Sequence, residues 1–216
     1  MHHNARVWRM RNTTSLFAAL IVCAAARPAA GQEMAHMNMD AAGMEKMMMD
    51  WPQASKDAAM FMTKKYGAPA GMTADMIMWG KTGPWKRTIV YKMEYAHDFP
   101  MPHTDVMQQW IDYRVPPHHF NDLAWYDGSV VAERTAGEIS ARCDKEAANF
   151  LALNLTDDIV KGRMSVNRAR KMYMDQIMAM KAMKPAPYTE GFRFTVPMGG
   201  TSDADHPGPA KMKGKK

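Results

Sequence analysis

DMIMW (residues 75–79), GKTGP (80–84) and WKRTIVYKME (85–94) decide the class of this fold. The outer runs carry the residues that strands favour, and the five between them hold two glycines and a proline, a turn composition. The stretch reads as a β-hairpin, and helical patterns flank it. Upstream, Trp51-Pro52 puts a proline in the first turn of a helix that runs to Tyr66 and stops at Gly67, Pro69 and Gly71. Downstream, AHDFPMPHTD (96–105) is too broken by Pro100 and Pro102 to be a regular element. Asp105 to Tyr113 fits a short helix or strand, and Pro116 to Tyr126 a short helix. Ser129 to Arg134 and Glu138 to Arg142 pair as a second hairpin across Thr135-Ala136-Gly137. Asp144 to Lys161 is apolar all round, which marks a central helix, and Gly162 closes it. Ser165 caps a last helix to about Met183. Its Val166, Ala169, Met172, Tyr173, Ile177, Met180 and Met183 share one arc, and Met174 and Met178 lie opposite. Tyr188 to Val196 reads as a final strand. The expectation is one α+β domain over residues 51–197, with two short hairpins and about four helices, then a disordered basic tail over 198–216.

The first 31 residues have the layout of a signal peptide. Arg6, Arg9 and Arg11 precede an apolar run from Leu16 to Ala26, and Ala29-Ala30-Gly31 precede Gln32. That run falls well short of the roughly 20 residues that span a bilayer, so no transmembrane anchor is expected. Val22, before Cys23, is not the small residue a lipoprotein site wants, so lipidation is not expected either. The chain reads as periplasmic or secreted. Removing the segment takes away four arginines and lowers the net charge from +6 to +2. Lys211, Lys213, Lys215 and Lys216 lie in the tail, so the basic balance does not argue for nucleic acid. Cys143 is then the sole cysteine, which excludes an internal disulfide and reads as a buried, inert thiol.

Methionine is the outlier, with 25 among 216 residues. A composition-biased leader over 32–50 packs Met34, Met37, Met39, Met44, Met47, Met48 and Met49 together with His36. Thioether sulfur is a soft neutral ligand that suits Cu(I), and it remains a ligand in an oxidising compartment. Two or three methionines with one histidine are enough to surround one such ion. The spacing M-x-H-M-x-M resembles the Met/His-rich segments of exported bacterial copper-resistance and copper-chaperone proteins. The resemblance covers this leader alone and implies copper binding or sequestration. A methionine-biased composition without copper is the alternative, because Met60, Met62, Met76, Met78, Met93, Met101 and Met107 continue it beyond the leader.

The second constellation is His97, His103 and Asp105 on a proline-stiffened segment, with Met101 as a possible soft contributor. Two imidazoles and a carboxylate suit Zn or Cu. The alternative is a loop whose histidines cap neighbouring backbone. His118 and His119 read as surface residues. The charged stretch from Asp127 to Asp144 reads as cross-strand ion pairs, with a catalytic pair of Glu133 and Glu138 or Asp144 as the alternative. Trp79 and Trp85 read as core anchors, or as the walls of a groove at the hairpin turn. No nucleophile elbow, P-loop or dinucleotide fingerprint occurs, and no catalytic residue is assigned. Two functions follow: an exported metal-handling accessory protein whose cofactor is Cu(I), or an exported structural or interaction module that binds another envelope protein. A metallohydrolase on His97, His103 and Asp105 is a third, needing an open position for water.

Overall fold

A computed structural model describes residues 41–205 and Gly208. Residues 1–31, read above as a signal peptide, together with Met34, His36, Met37, Met39 and the basic end of the tail, lie outside the described residues. Within them the chain is α+β: five α-helices and a six-stranded antiparallel sheet. Among the described residues no helix is long and apolar enough to cross a membrane.

The hairpin of residues 75–94 is β2 (Met76–Trp79) paired with β3 (Arg87–His97), in a register that sets Ile77 opposite Val90 and Trp79 opposite Thr88. Alternation puts these four side chains in the core and leaves Met76 and Met78 exposed. A two-residue β1 (Gly71–Met72) adds to the outer side of β2. After β3 the chain turns through residues 98–102 into β4 (His103–Asp112), so the Pro/His segment is itself the tip of a hairpin. A 3-10 turn at Pro117–His119 and α3 (Phe120–Tyr126) lead to β5 (Val131–Glu133) and β6 (Glu138–Cys143). β6 pairs with β4 and leaves β5 at the edge, giving the order β1-β2-β3-β4-β6-β5.

α2 (Gln53–Tyr66) packs on β3 and β4, α4 (Glu146–Val160) on β4 and β6, and α5 (Val166–Lys181) on α3 and α4. Two apolar clusters result. One gathers Trp85, Ile111, Leu151, Leu155 and Tyr173; the other gathers Met62, Ile77, Trp79, Val90 and Met107. Trp79 and Trp85 are therefore core and form no groove, with their indole N–H groups donating to Gly67 O at 3.0 Å and Glu146 Oε1 at 2.7 Å. Ser165 caps α5 through its Oγ, which accepts from Arg168 N.

Three expectations need correction. The ordered chain begins before Trp51, because α1 (Ala41–Met47) precedes it and Met44 and Met48 are 3% and 2% exposed among Trp51, Ala59 and Met62. They stand four residues apart and share one helical face, and burying that face withdraws both sulfurs from the proposed thioether set. Met47 and Met49 stay exposed. Second, Tyr188 to Val196 is no strand. Asn154 takes the place of a neighbouring strand: its amide donates to Tyr188 O and Gly191 O, and its carbonyl accepts from Arg193 N. This fixes Phe192 against Phe150 and Trp85. Third, residues 201–205 are a strap. Thr201 Oγ1 donates to Gly137 O at 2.6 Å, Arg114 donates to the Thr201 and Ser202 carbonyls, and Arg134 pairs with Asp203 and Asp205. Gly137 permits the crossing, since its φ is +63° and a Cβ there would sit 2.2 Å from the Thr201 backbone.

Candidate metal centre

β3 and β4 end opposite one another, which makes His97 and His103 direct partners across the turn. Alternation along β4 sets His103 and Asp105 on the same face as Met107, Gln109 and Ile111, and that face lies under the helices. Asp105 is consequently 3% exposed, and the His97 and His103 side chains are mostly covered.

His97 Nδ1 lies 3.3 Å from Asp105 Oδ2, and His103 Nε2 lies 3.2 Å from Asp105 Oδ1. One donor atom from each of the three residues falls within 4.8 Å of the others. Around an ion with bonds of 2.0–2.1 Å, neighbouring tetrahedral ligand atoms stand about 3.3 Å apart; each imidazole meets that distance to a different Asp105 oxygen, and one atom from all three lies within 4.8 Å, so seating an ion would draw the side chains closer together. The alignment needed for hydrogen bonds is missing. His97 Nδ1, His103 Nε2 and Asp105 Oδ1 are buried and make none. The outer nitrogens face acceptors: His103 Nδ1 donates to Met101 O at 2.8 Å, and His97 Nε2 faces Asp127 Oδ1 at 3.6 Å. With its proton held at Nδ1, a neutral His103 presents the Nε2 lone pair inward.

Without a metal, the same atoms form an ionic clasp at the hairpin end. The Asp105 carboxylate beside it pushes the His103 pKa up to about 11, and Asp105 likewise raises His97. Burial pushes the Asp105 carboxyl up, but the two imidazoles together outweigh it and hold the group below its ordinary value. Metal entry must displace the imidazolium protons. Arg142 borders the site, with Nε 4.0 Å from Asp105 Oδ2 and its guanidinium stacked on Tyr95.

No known family matches this chain, and no curated protein or solved structure is similar to it.

The other sequence candidates fall outside this centre. Met101 contributes its carbonyl to His103, whereas its sulfur faces Lys181 Nζ at 2.7 Å. Cys143 ends β6 and lines a cavity of about 230 Å³ with Met101, His103 and Met180; burial pushes its thiol up and keeps it protonated. His119 pairs with Asp122 at 3.0 Å. Glu133 and Glu138 do face one another across β5 and β6, but each carboxylate of the candidate pairs is held by another group: Glu138 by Arg87 and Lys86, Glu133 by Thr135, and Asp144 by Lys145.

Two buried carboxylates, Asp127 and Glu146, have surroundings that the sequence reading did not foresee. Asp127 follows α3, and its signal was the Asp127-Gly128-Ser129 turn, in which Oδ1 accepts from Ser129 N at 2.8 Å and Ser129 Oγ at 2.7 Å. Glu146 opens α4 beside a cavity of about 620 Å³ and accepts from Trp85 Nε1, Tyr66 OH, Gln109 Nε2 and Lys65. Four donors occupy that carboxylate, so it is a structural hub that ties α2 and the sheet to the start of α4.

Proposed function

We propose that the protein is an exported metal-handling accessory protein that binds and sequesters or transfers an ion without turnover. The observation that carries this reading is the centre of His97, His103 and Asp105: three buried donor atoms within 4.8 Å of one another, none hydrogen-bonded. In the metal-free chain these atoms are held by the ionic clasp alone, and an ion seated among them would replace the imidazolium protons with direct bonds to the same donors. The methionine-rich segment adds soft donors for Cu(I). In this proposal they are Met34, His36, Met37, Met39, Met47 and Met49, without the core residues Met44 and Met48.

The test titrates the full chain with Cu(I) under reducing conditions and, separately, with Zn²⁺ and Cu²⁺. The comparison variants are His97→Ala/His103→Ala and Met34→Leu/Met37→Leu/Met39→Leu. Submicromolar binding lost with the histidines supports the folded centre, and loss of Cu(I) with the methionines supports the segment. Absence of binding to any of the three ions sinks the proposal. It would favour an exported interaction module, for which exposed Met76, Met78, Met93 and Tyr95 on the sheet strands offer a contact surface.

A further inference from the structure

We infer that Asp127 is a positioning residue of a divalent-ion site, holding His97 so that its Nδ1 faces the same point as His103 Nε2 and the Asp105 carboxylate. The inference rests on the metal-centre reading above and adds its ion class and its outer support.

Asp127 is 2% exposed and comes from a different part of the fold, the end of α3. Two hydrogen bonds from Ser129 to Oδ1 lock its carboxylate in place. Its Oδ2 is buried with no hydrogen bond, an expensive arrangement for a group whose only role is to close a turn. Oδ1 stands 3.6 Å from His97 Nε2, too long for a hydrogen bond and well within Coulombic reach. A negative charge there favours the tautomer with the proton on Nε2, which frees the Nδ1 lone pair for a metal. Met101 O does the same for His103 from the other side. Each imidazole thus has an oxygen facing its outer nitrogen: at His103 this is the hydrogen bond that orients metal-bound histidines, and at His97 it is a Coulombic contact that a shift of a few tenths of an ångström would turn into one.

The donors also select the ion. Two imidazole nitrogens and a carboxylate oxygen are borderline to hard ligands, suited to Zn²⁺ or Cu²⁺ and ill suited to Cu(I), which wants sulfur. Among the described residues the one thiol beside the centre, Cys143, contacts His103 and hydrogen-bonds to Asp144 Oδ1 at 3.4 Å, but it is not part of the converging set of His97, His103 and Asp105.

The test is a Zn²⁺ titration of the full chain against a chelator, beside Asp127→Asn and Ser129→Ala. Asp127→Asn is expected to weaken binding by about 10- to 100-fold, and Ser129→Ala by a smaller factor because the carboxylate keeps one anchor. Bound Co²⁺ should show a shifted visible spectrum in Asp127→Asn, a change that a purely structural role would not cause. If Asp127→Asn does not fold, Ser129→Ala carries the test, with weaker binding at an unchanged metal-free melting temperature. Equal affinity in the wild type and the folded variants overturns the role of Asp127 and leaves the centre standing. A wild type that binds Cu(I) through His97 and His103 but takes no Zn²⁺ or Cu²⁺ overturns the divalent assignment. Binding of none of these ions overturns the centre and this inference together.

Discussion

Glu138 at the start of β6 is gripped by the Arg87 guanidinium and by Lys86 Nζ at 3.0 Å, and Arg87 in turn lies 4.3 Å from the Trp110 ring. Arg87 first, against the opposing effect of burial, holds the Glu138 carboxyl below its ordinary value of 4.5. In the unfolded chain the group takes up its proton at a higher pH. Its contribution to stability is therefore complete above the ordinary value and disappears as pH falls through the depressed one. Glu138→Gln is expected to lower the melting temperature at neutral pH, with the gap from wild type closing as the solution is acidified below 4.5. Melting curves across that range test it, and a gap independent of pH would refute it. At this scale the sequence was informative where chemistry is local. His97, His103 and Asp105 were legible because a proline-broken turn between strands sets both histidines at facing strand ends, and a two-residue step returns Asp105 to the face of His103. The place of Asp127 beside His97 was not legible, because tertiary packing brings the turn after α3 to the hairpin end and no spacing encodes that.

Element by element, the outcome follows whether hydrogen-bond partners are local. The helices α4 and α5 and the two hairpins close their backbone bonds within or between adjacent segments, and their periodicities announced them. The 188–196 segment has the alternation of a strand in Phe192, Phe194 and Val196, but its backbone bonds go to side chains and a local turn, three of them to the buried Asn154 on α4 and one to Gln176 on α5. No strand pattern can reveal that. α1 was hidden for a different reason: so many methionines crowd residues 34–49 that the four-residue step from Met44 to Met48 is lost among them. Met48→Ala should cost about 2–5 kcal/mol, as for other buried large-to-small changes. Met49→Ala, on an exposed side chain, should cost almost nothing. Urea unfolding midpoints separate the two, and equal small effects would restore residues 41–50 to a loose leader.

For the whole molecule, a metal that binds the native state and not the unfolded chain must raise stability. With free Zn²⁺ at 100 times its dissociation constant the gain is about 2.7 kcal/mol. The melting temperature should rise accordingly, and His97→Ala/His103→Ala should abolish the rise. A rise that survives the double substitution would place the ion elsewhere. Gly137→Ala should destabilise the fold by about 1–3 kcal/mol through its left-handed backbone alone, and further through the strap that crosses it; thermal melts measure the sum.

The strap has another consequence. A sheet with a long bare outermost strand invites strands from other chains, and the outermost strands of this one are short. β1 has two residues and β5 three, and Asp203 N bonds to Arg134 O just beyond β5, where a foreign strand would have to extend the ladder. The sheet is blunted against edge-to-edge aggregation. Cutting the chain at residue 197, where sequence alone ends the domain, would unblock the β5 side and yield a fragment more prone to self-association than the full chain.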